Sequence, residues 1–175
     1  MATKTLNRMI ATRGPRQANG LYDIYLDAWQ NKNYLGRIII NSGVASNQVF
    51  TTVPTATPGT YQPCPEGEFD LGGLEWCGRK VDGTMKKGDY KTWYQEIDSP
   101  IWVMIMRRRA IGFHLDGNRT QAPGSAGCLV FKDMNDLKKF VRWYDFGEFS
   151  KLYVDWGKGY VNIPADLRAL KAKVK

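Results

Sequence analysis

From Leu21 to Trp29, Tyr22, Ile24, Leu26 and Ala28 alternate with Asp23, Tyr25 and Asp27, the period-two pattern of a strand with one buried face. Asn31, Lys32 and Asn33 supply a turn, and Tyr34 to Asn41 reads as a second strand, so the domain is expected to open on a β-hairpin. The Thr-, Pro- and Gly-rich stretch from Ser42 to Pro65 reads as a loop, with Pro58-Gly59 as a strong turn signal. Glycines 67, 72, 73, 78, 83 and 88 favour tight turns and short extended pieces over helix, which predicts a surface excursion over Gly67 to Gly88. Tyr90 to Ile97 and Ile101 to Met106 read as strands separated by Asp98-Ser99-Pro100. Ala110 to His114 reads as a short buried strand whose end delivers His114 to a loop.

The clearest helix begins at Asp133, a good N-cap, with Asp136 adding negative charge to the first turn. Met134, Leu137, Phe140, Val141 and Tyr144 share one face, and Gly147 stops it. A strand from Leu152 to Trp156 follows, then a C-terminal helix starting at Pro164 with Leu167 and Leu170 inward. The expected division is a basic N-terminal arm over 1–20, a central domain over 21–160 that carries the candidate chemistry, and a basic C-terminal helix or tail over 161–175.

A chain of 175 residues that is 43% hydrophobic can bury a single core without staples. No apolar run approaches the roughly 18 residues of a membrane span, so a soluble chain with no membrane span is expected. Met1 to Asn19 carries Arg8, Arg13 and Arg16 but lacks the apolar stretch of a secretory signal, which predicts synthesis in a cytoplasm. The net charge of +8, partly local to Arg107, Arg108 and Arg109 and to Arg168, Lys171, Lys173 and Lys175, biases the surface toward anionic partners. A nucleic-acid partner is not expected, because no recognition signature accompanies the charge. Cys64, Cys77 and Cys128 are an odd set that argues against a disulfide framework, and with one histidine no four-ligand zinc site is readily assembled. Neither metal nor cofactor is expected.

The candidate chemistry lies in Gly112-Phe113-His114-Leu115-Asp116-Gly117 and Gly124-Ser125-Ala126-Gly127-Cys128-Leu129. Singly, a histidine at a strand end is ordinarily a hydrogen-bonded structural residue, and a cysteine a small core hydrophobe. Together they suggest a thiol whose pKa an adjacent imidazole lowers from about 8.5 and whose proton it accepts. Gly127 would let the backbone turn so that amides around Cys128 face the oxyanion of a tetrahedral intermediate. Asp116 and Asp133 are the carboxylates able to orient His114. The tryptophans, Trp29, Trp76, Trp93, Trp102, Trp143 and Trp156, are scattered and read as core and rim aromatics.

This block resembles the signature of the L,D-transpeptidase catalytic domain, in which an upstream His is followed by Ser or Thr, His, Gly and Cys in a row and then by a helix. The early hairpin and Thr57-Pro58-Gly59-Thr60-Tyr61 extend the likeness over roughly Leu21 to Trp156. The resemblance implies a mostly β, L,D-transpeptidase-like β-sandwich, with a helix after the nucleophile and a C-terminal helix. It makes Cys128 the nucleophile, His114 the base, and Ser125 and Gly127 the other catalytic-motif positions. Two positions depart from the family: Ala126 stands where it has a histidine, and Val130 where it has an arginine. His114 must then act as the only imidazole, and substrate contact is expected at Gly117 and Arg119 or at the Arg107 to Arg109 cluster.

The activity implied is a cysteine-dependent acyl transfer or hydrolysis on peptidoglycan stem peptides. Action at the wall of a chain made in a cytoplasm suggests a phage virion or lysis protein, or an injected effector. The alternative is a non-catalytic structural or wall-binding module of a phage tail built on the same fold, with tail or virion proteins as partners.

Overall fold

The computed structural model describes residues 6–50, 62–76, 99, 101–105, 111–117, 123–125 and 127–174. Eight strands among them form one sheet closed on itself. They are β1 (Asn7–Arg16), β2 (Tyr22–Gln30), β3 (Asn33–Asn41), β4 (Gly67–Trp76), β5 (Ile101–Ile105), β6 (Gly112–Leu115), β7 (Leu129–Phe131) and β8 (Lys151–Asp155). Around the barrel the order is β1-β2-β3-β7-β6-β5-β4-β8. The two parallel contacts are β6 with β7 and the closing seam of β1 with β8. The fold is mostly β, as expected.

A two-sheet sandwich is not what forms. Closure depends on β1, whose residues had been expected to be a basic arm: Met9 and Ala11 point into the barrel, and Ile10 points out beneath the C-terminal segment. Apolar demand on both faces erases the alternation that would mark a strand. Pro15, which has no N–H to donate, falls where the register between β1 and β2 shifts, from Arg13 to Arg16.

The β2–β3 hairpin forms as expected, with Gln30 opposite Asn33 and Asn31 at φ +52° in the turn. The glycine-rich segment is corrected in its described part: Gly67–Trp76 is β4, paired with β8 and β5. Gly72 and Gly73 sit at the register shift between Leu71 and Leu74, and a Cβ on Gly72 would lie 3.3 Å from Met104 Cβ. These glycines serve a bulge and a close strand approach rather than a turn. The strand expected over Tyr90 to Ile97 lies outside the described residues.

Helix α1 (Met134–Trp143) follows β7, and the Asp133 carboxylate accepts from the Asp136 amide at 2.9 Å, the cap its sequence predicts. Leu137, Phe140 and Trp143 join the barrel core, where Phe140 meets Phe131 and Phe113 at ring separations of 4.7 and 5.1 Å. Helix α2 (Ala165–Lys171) buries Leu167 against Ile10, Trp29 and Tyr153 on the outer wall of β8, β1 and β2. It is docked there by Arg8, whose guanidinium reaches both Asp166 oxygens at 3.2 and 2.7 Å, so the last segment is packed on the domain rather than trailing from it. No helix among the described residues is long and apolar enough to cross a membrane.

Candidate functional site

Strands β5, β6 and β7 turn Ile101, Val103, Phe113, Leu115, Leu129 and Phe131 into the core. By the period of two, Trp102, His114 and Val130 face outward. The parallel register pairs Phe113 with Leu129 and His114 with Val130, so Cys128, one residue before β7, lies level with Gly112 on that same outward face. His114 and Cys128 are therefore diagonal neighbours across the β6–β7 contact, His114 in β6 and Cys128 just before β7. A strand spacing of about 4.8 Å and a two-residue rise of about 6.6 Å put their Cα atoms roughly 8 Å apart, within reach of an imidazole and a thiol.

Trp102 links the two. Its ring stacks on His114 with centroids 5.7 Å apart and planes 22° from parallel, and it packs with Cys128 and Val130 in one buried cluster. The indole can lean this way because residue 112 has no side chain: a Cβ there would be 2.6 Å from Trp102 Cζ2 and 2.4 Å from Val103 O. Sequence reasoning missed Trp102. The signal available was that Ile101 to Ile105 is apolar at successive positions, as in a strand covered on both faces.

His114 Nδ1 lies 2.7 Å from Leu115 O. A ring that donates Nδ1–H to that carbonyl carries its lone pair on Nε2, the arrangement a base requires. The acceptor at Nδ1 is thus a backbone carbonyl and not a carboxylate. Asp116 instead accepts from the Gly124 amide at 2.8 Å, and Asp133 caps α1, so neither takes the orienting role considered for it.

The loop before Cys128 is built from small residues. Gly124 has φ +122°, and its backbone bridges to Val44 so closely that a Cβ would lie 2.2 Å from Gly43 O. Ser125 donates its amide to that same Gly43 carbonyl at 2.9 Å and its hydroxyl to Cys128 O at 2.6 Å, stapling the turn. Gly127, at φ +120°, donates its amide to Ser125 Oγ at 3.3 Å, and its carbonyl accepts from Ser42 Oγ at the same distance. The Gly127 amide therefore closes the loop instead of facing a bound oxyanion, and Ser125 acts as a brace of the nucleophile turn. Ser42 Oγ also accepts from the Cys64 amide at 2.8 Å, which ties a second cysteine-bearing segment to this loop.

Electrostatically the pair is neutral. Cys128 is 7% exposed, and burial pushes its thiol up to about 11, opposed only partly by a backbone hydrogen bond from Gly112. Burial pulls His114 down to about 4 against the opposing effect of the Leu115 carbonyl. The expectation that the imidazole lowers the thiol pKa is overturned, because desolvation penalises both charged forms. Near neutral pH the site holds a thiol and an unprotonated imidazole, not a thiolate–imidazolium pair.

Gly117 is exposed in the turn two residues past the end of β6. Arg119, the Arg107 to Arg109 cluster, Ala126 and Cys77 lie outside the described residues. Among the described residues no three His, Cys, Asp or Glu side chains gather in a way that could hold a metal ion. No family model matches the chain, and neither the curated proteins nor the solved structures contain a significant match.

Proposed function

We propose that the protein is a cysteine-dependent acyl transferase or hydrolase of the L,D-transpeptidase type, acting on peptidoglycan stem peptides at the bacterial cell wall. What supports this reading is that β6 carries His114 and the residue just before β7 is Cys128, so the parallel β6–β7 register sets the two diagonally on one face, with the Leu115 carbonyl at His114 Nδ1. In the reaction, Cys128 Sγ attacks a stem-peptide carbonyl carbon while His114 Nε2 takes the thiol proton, so that charge develops only as the S–C bond forms. Collapse of the tetrahedral intermediate breaks the C–N bond, and the imidazolium returns its proton to the departing amine. An amine or a water then attacks the thioester, loses a proton to His114 and regenerates the thiol. A neutral resting pair suits this sequence, because proton transfer and attack are coupled and no buried ion pair has to be maintained.

The test is incubation of purified wall fragments with the whole chain and with Cys128→Ala and His114→Ala, read by mass spectrometry. Both variants should lose at least about a thousandfold in turnover, since residues acting as one unit fail together. Full activity in Cys128→Ala overturns the proposal.

The enclosure of Cys128, packed with Trp102 and Val130, supports a second reading as a non-catalytic wall-binding or structural module of a phage tail. On that reading the wild type sediments with wall material, turns nothing over, and keeps its binding in Cys128→Ala.

A further inference from the structure

The register between β2 and β3 pairs Ala28 with Gly36 but Trp29 with Tyr34, leaving Leu35 as an extra residue. This bulge turns Tyr34 and Arg37, three positions apart, to the same outer side, where both reach Asp27: the Tyr34 hydroxyl at 2.6 Å and Arg37 Nε at 2.9 Å. Lys171 of α2 also pairs with Asp27, which is fully buried. Between the hairpin end and the last turn of α2 lies a cavity of about 370 Å³, a size typical of sites for small ligands.

Its walls are of two kinds. The rings of Trp29 and Tyr34, 5.3 Å apart and inclined at 44°, form an aromatic side that Leu170 extends. Lys32, Arg37 and Lys173 form a cationic side. Asp27, behind them, is already shared by Arg37 and Lys171, and among the described residues no carboxylate lines the cavity. Among those residues, Lys32 and Lys173 have no ion-pair partner. Such a site suits a doubly charged anion better than a single carboxylate. The negative end of α2 opposes an anion here, but the helix is short and Lys171 and Lys173 stand at that end. The Arg8–Asp166 and Lys171–Asp27 pairs hold α2 in place, so the cavity exists before a ligand enters.

We propose that this cavity binds a phosphate monoester carried on an apolar or planar body, with the phosphate between Lys32, Arg37 and Lys173 and the body against Tyr34 and Leu170. The site is independent of Cys128 and does not rest on the proposed activity. The ester can come from a soluble molecule or from a lipid headgroup.

Calorimetric titration of the whole chain with phenyl phosphate tests the first source, with inorganic phosphate as comparison. Phenyl phosphate should bind saturably and roughly tenfold more tightly, the increment of one modest stacking contact. Combining Lys32→Ala with Lys173→Ala should weaken it about tenfold or more without changing the melting temperature, because both side chains are exposed. Tyr34→Ala should remove the advantage over inorganic phosphate. Co-sedimentation with phosphatidylcholine vesicles containing phosphatidic acid tests the lipid source, and dependence on the same two lysines supports it. Failure of both ligands to bind, binding untouched by the double lysine variant, or no preference for the aryl ester overturns the proposal.

Discussion

Trp102 lies stacked on His114, and the same indole shares a buried cluster with Cys128 and Val130, so one aromatic side chain belongs to the surroundings of both candidate catalytic groups. His114 is the only histidine in the chain, so its ring gives a single, assignable titration by NMR. In the wild type the midpoint should lie near 4, where burial puts it. Trp102→Leu admits water to the ring and should move the midpoint toward 6.5, while lowering stability by about 3 kcal/mol through the lost packing. A midpoint unmoved in a folded Trp102→Leu protein would show that other groups desolvate the imidazole.

Stability should depend on pH through the same residue. The folded imidazole protonates near 4 and the unfolded one near 6.5, so between these values the unfolded chain binds the extra proton. The contribution is fully present above pH 6.5 and is lost as pH falls toward 4, amounting to roughly 3 kcal/mol at most. Urea melts of the wild type and His114→Gln at pH 7 and pH 4.5 check it. The difference between the two proteins should shrink or reverse at the lower pH.

The Cys128 thiol should gain reactivity with rising pH, where a resting thiolate would show a constant rate. With Cys128 held up to about 11, alkylation at that residue should rise about tenfold per pH unit between 7 and 10. Cys64, fully buried where Cys128 is 7% exposed, should label more slowly still. Mass mapping after short exposures separates them. A rate at Cys128 that is flat above pH 5 would reveal an ion pair and contradict the neutral site.

The nucleophile loop should tolerate almost nothing at Gly124. Gly124→Ala combines φ +122° with a backbone oxygen 2.2 Å from the new carbon, and should cost more than about 2 kcal/mol. Gly157→Ala, at φ +78° with open space around it, should cost only about 1 kcal/mol. Equal melting temperatures for the two variants would mean that the loop relaxes away from Gly43.

How far the sequence foretold this molecule depended on the range of the interactions. The hairpin of β2 and β3 and the capped helix after Asp133 are written locally, in alternation and in an Asp three residues before the amide it caps. β1 carries no local signature, because Ile10 is buried outside the barrel while Met9 and Ala11 are buried within it, a consequence of where α2 docks. The barrel itself was illegible for the same reason, since its seam joins the two ends of the domain. At the site, residue types and motif spacing singled out His114 and Cys128, and the β6–β7 register does bring them to one face. Their protonation is not legible there, because it follows from burial, which no short window of sequence reveals.

The seam of β1 against β8 has a consequence for how the chain is made. It pairs residues roughly 140 positions apart, so the closing contact is among the most non-local the chain contains and among the last available during synthesis. Until Lys151 to Asp155 has emerged, β1 presents an unpaired edge of amides and carbonyls beside a completed hairpin, a template for strands of other molecules. A nascent or truncated chain that stops short of β8 is therefore exposed to aggregation through that edge.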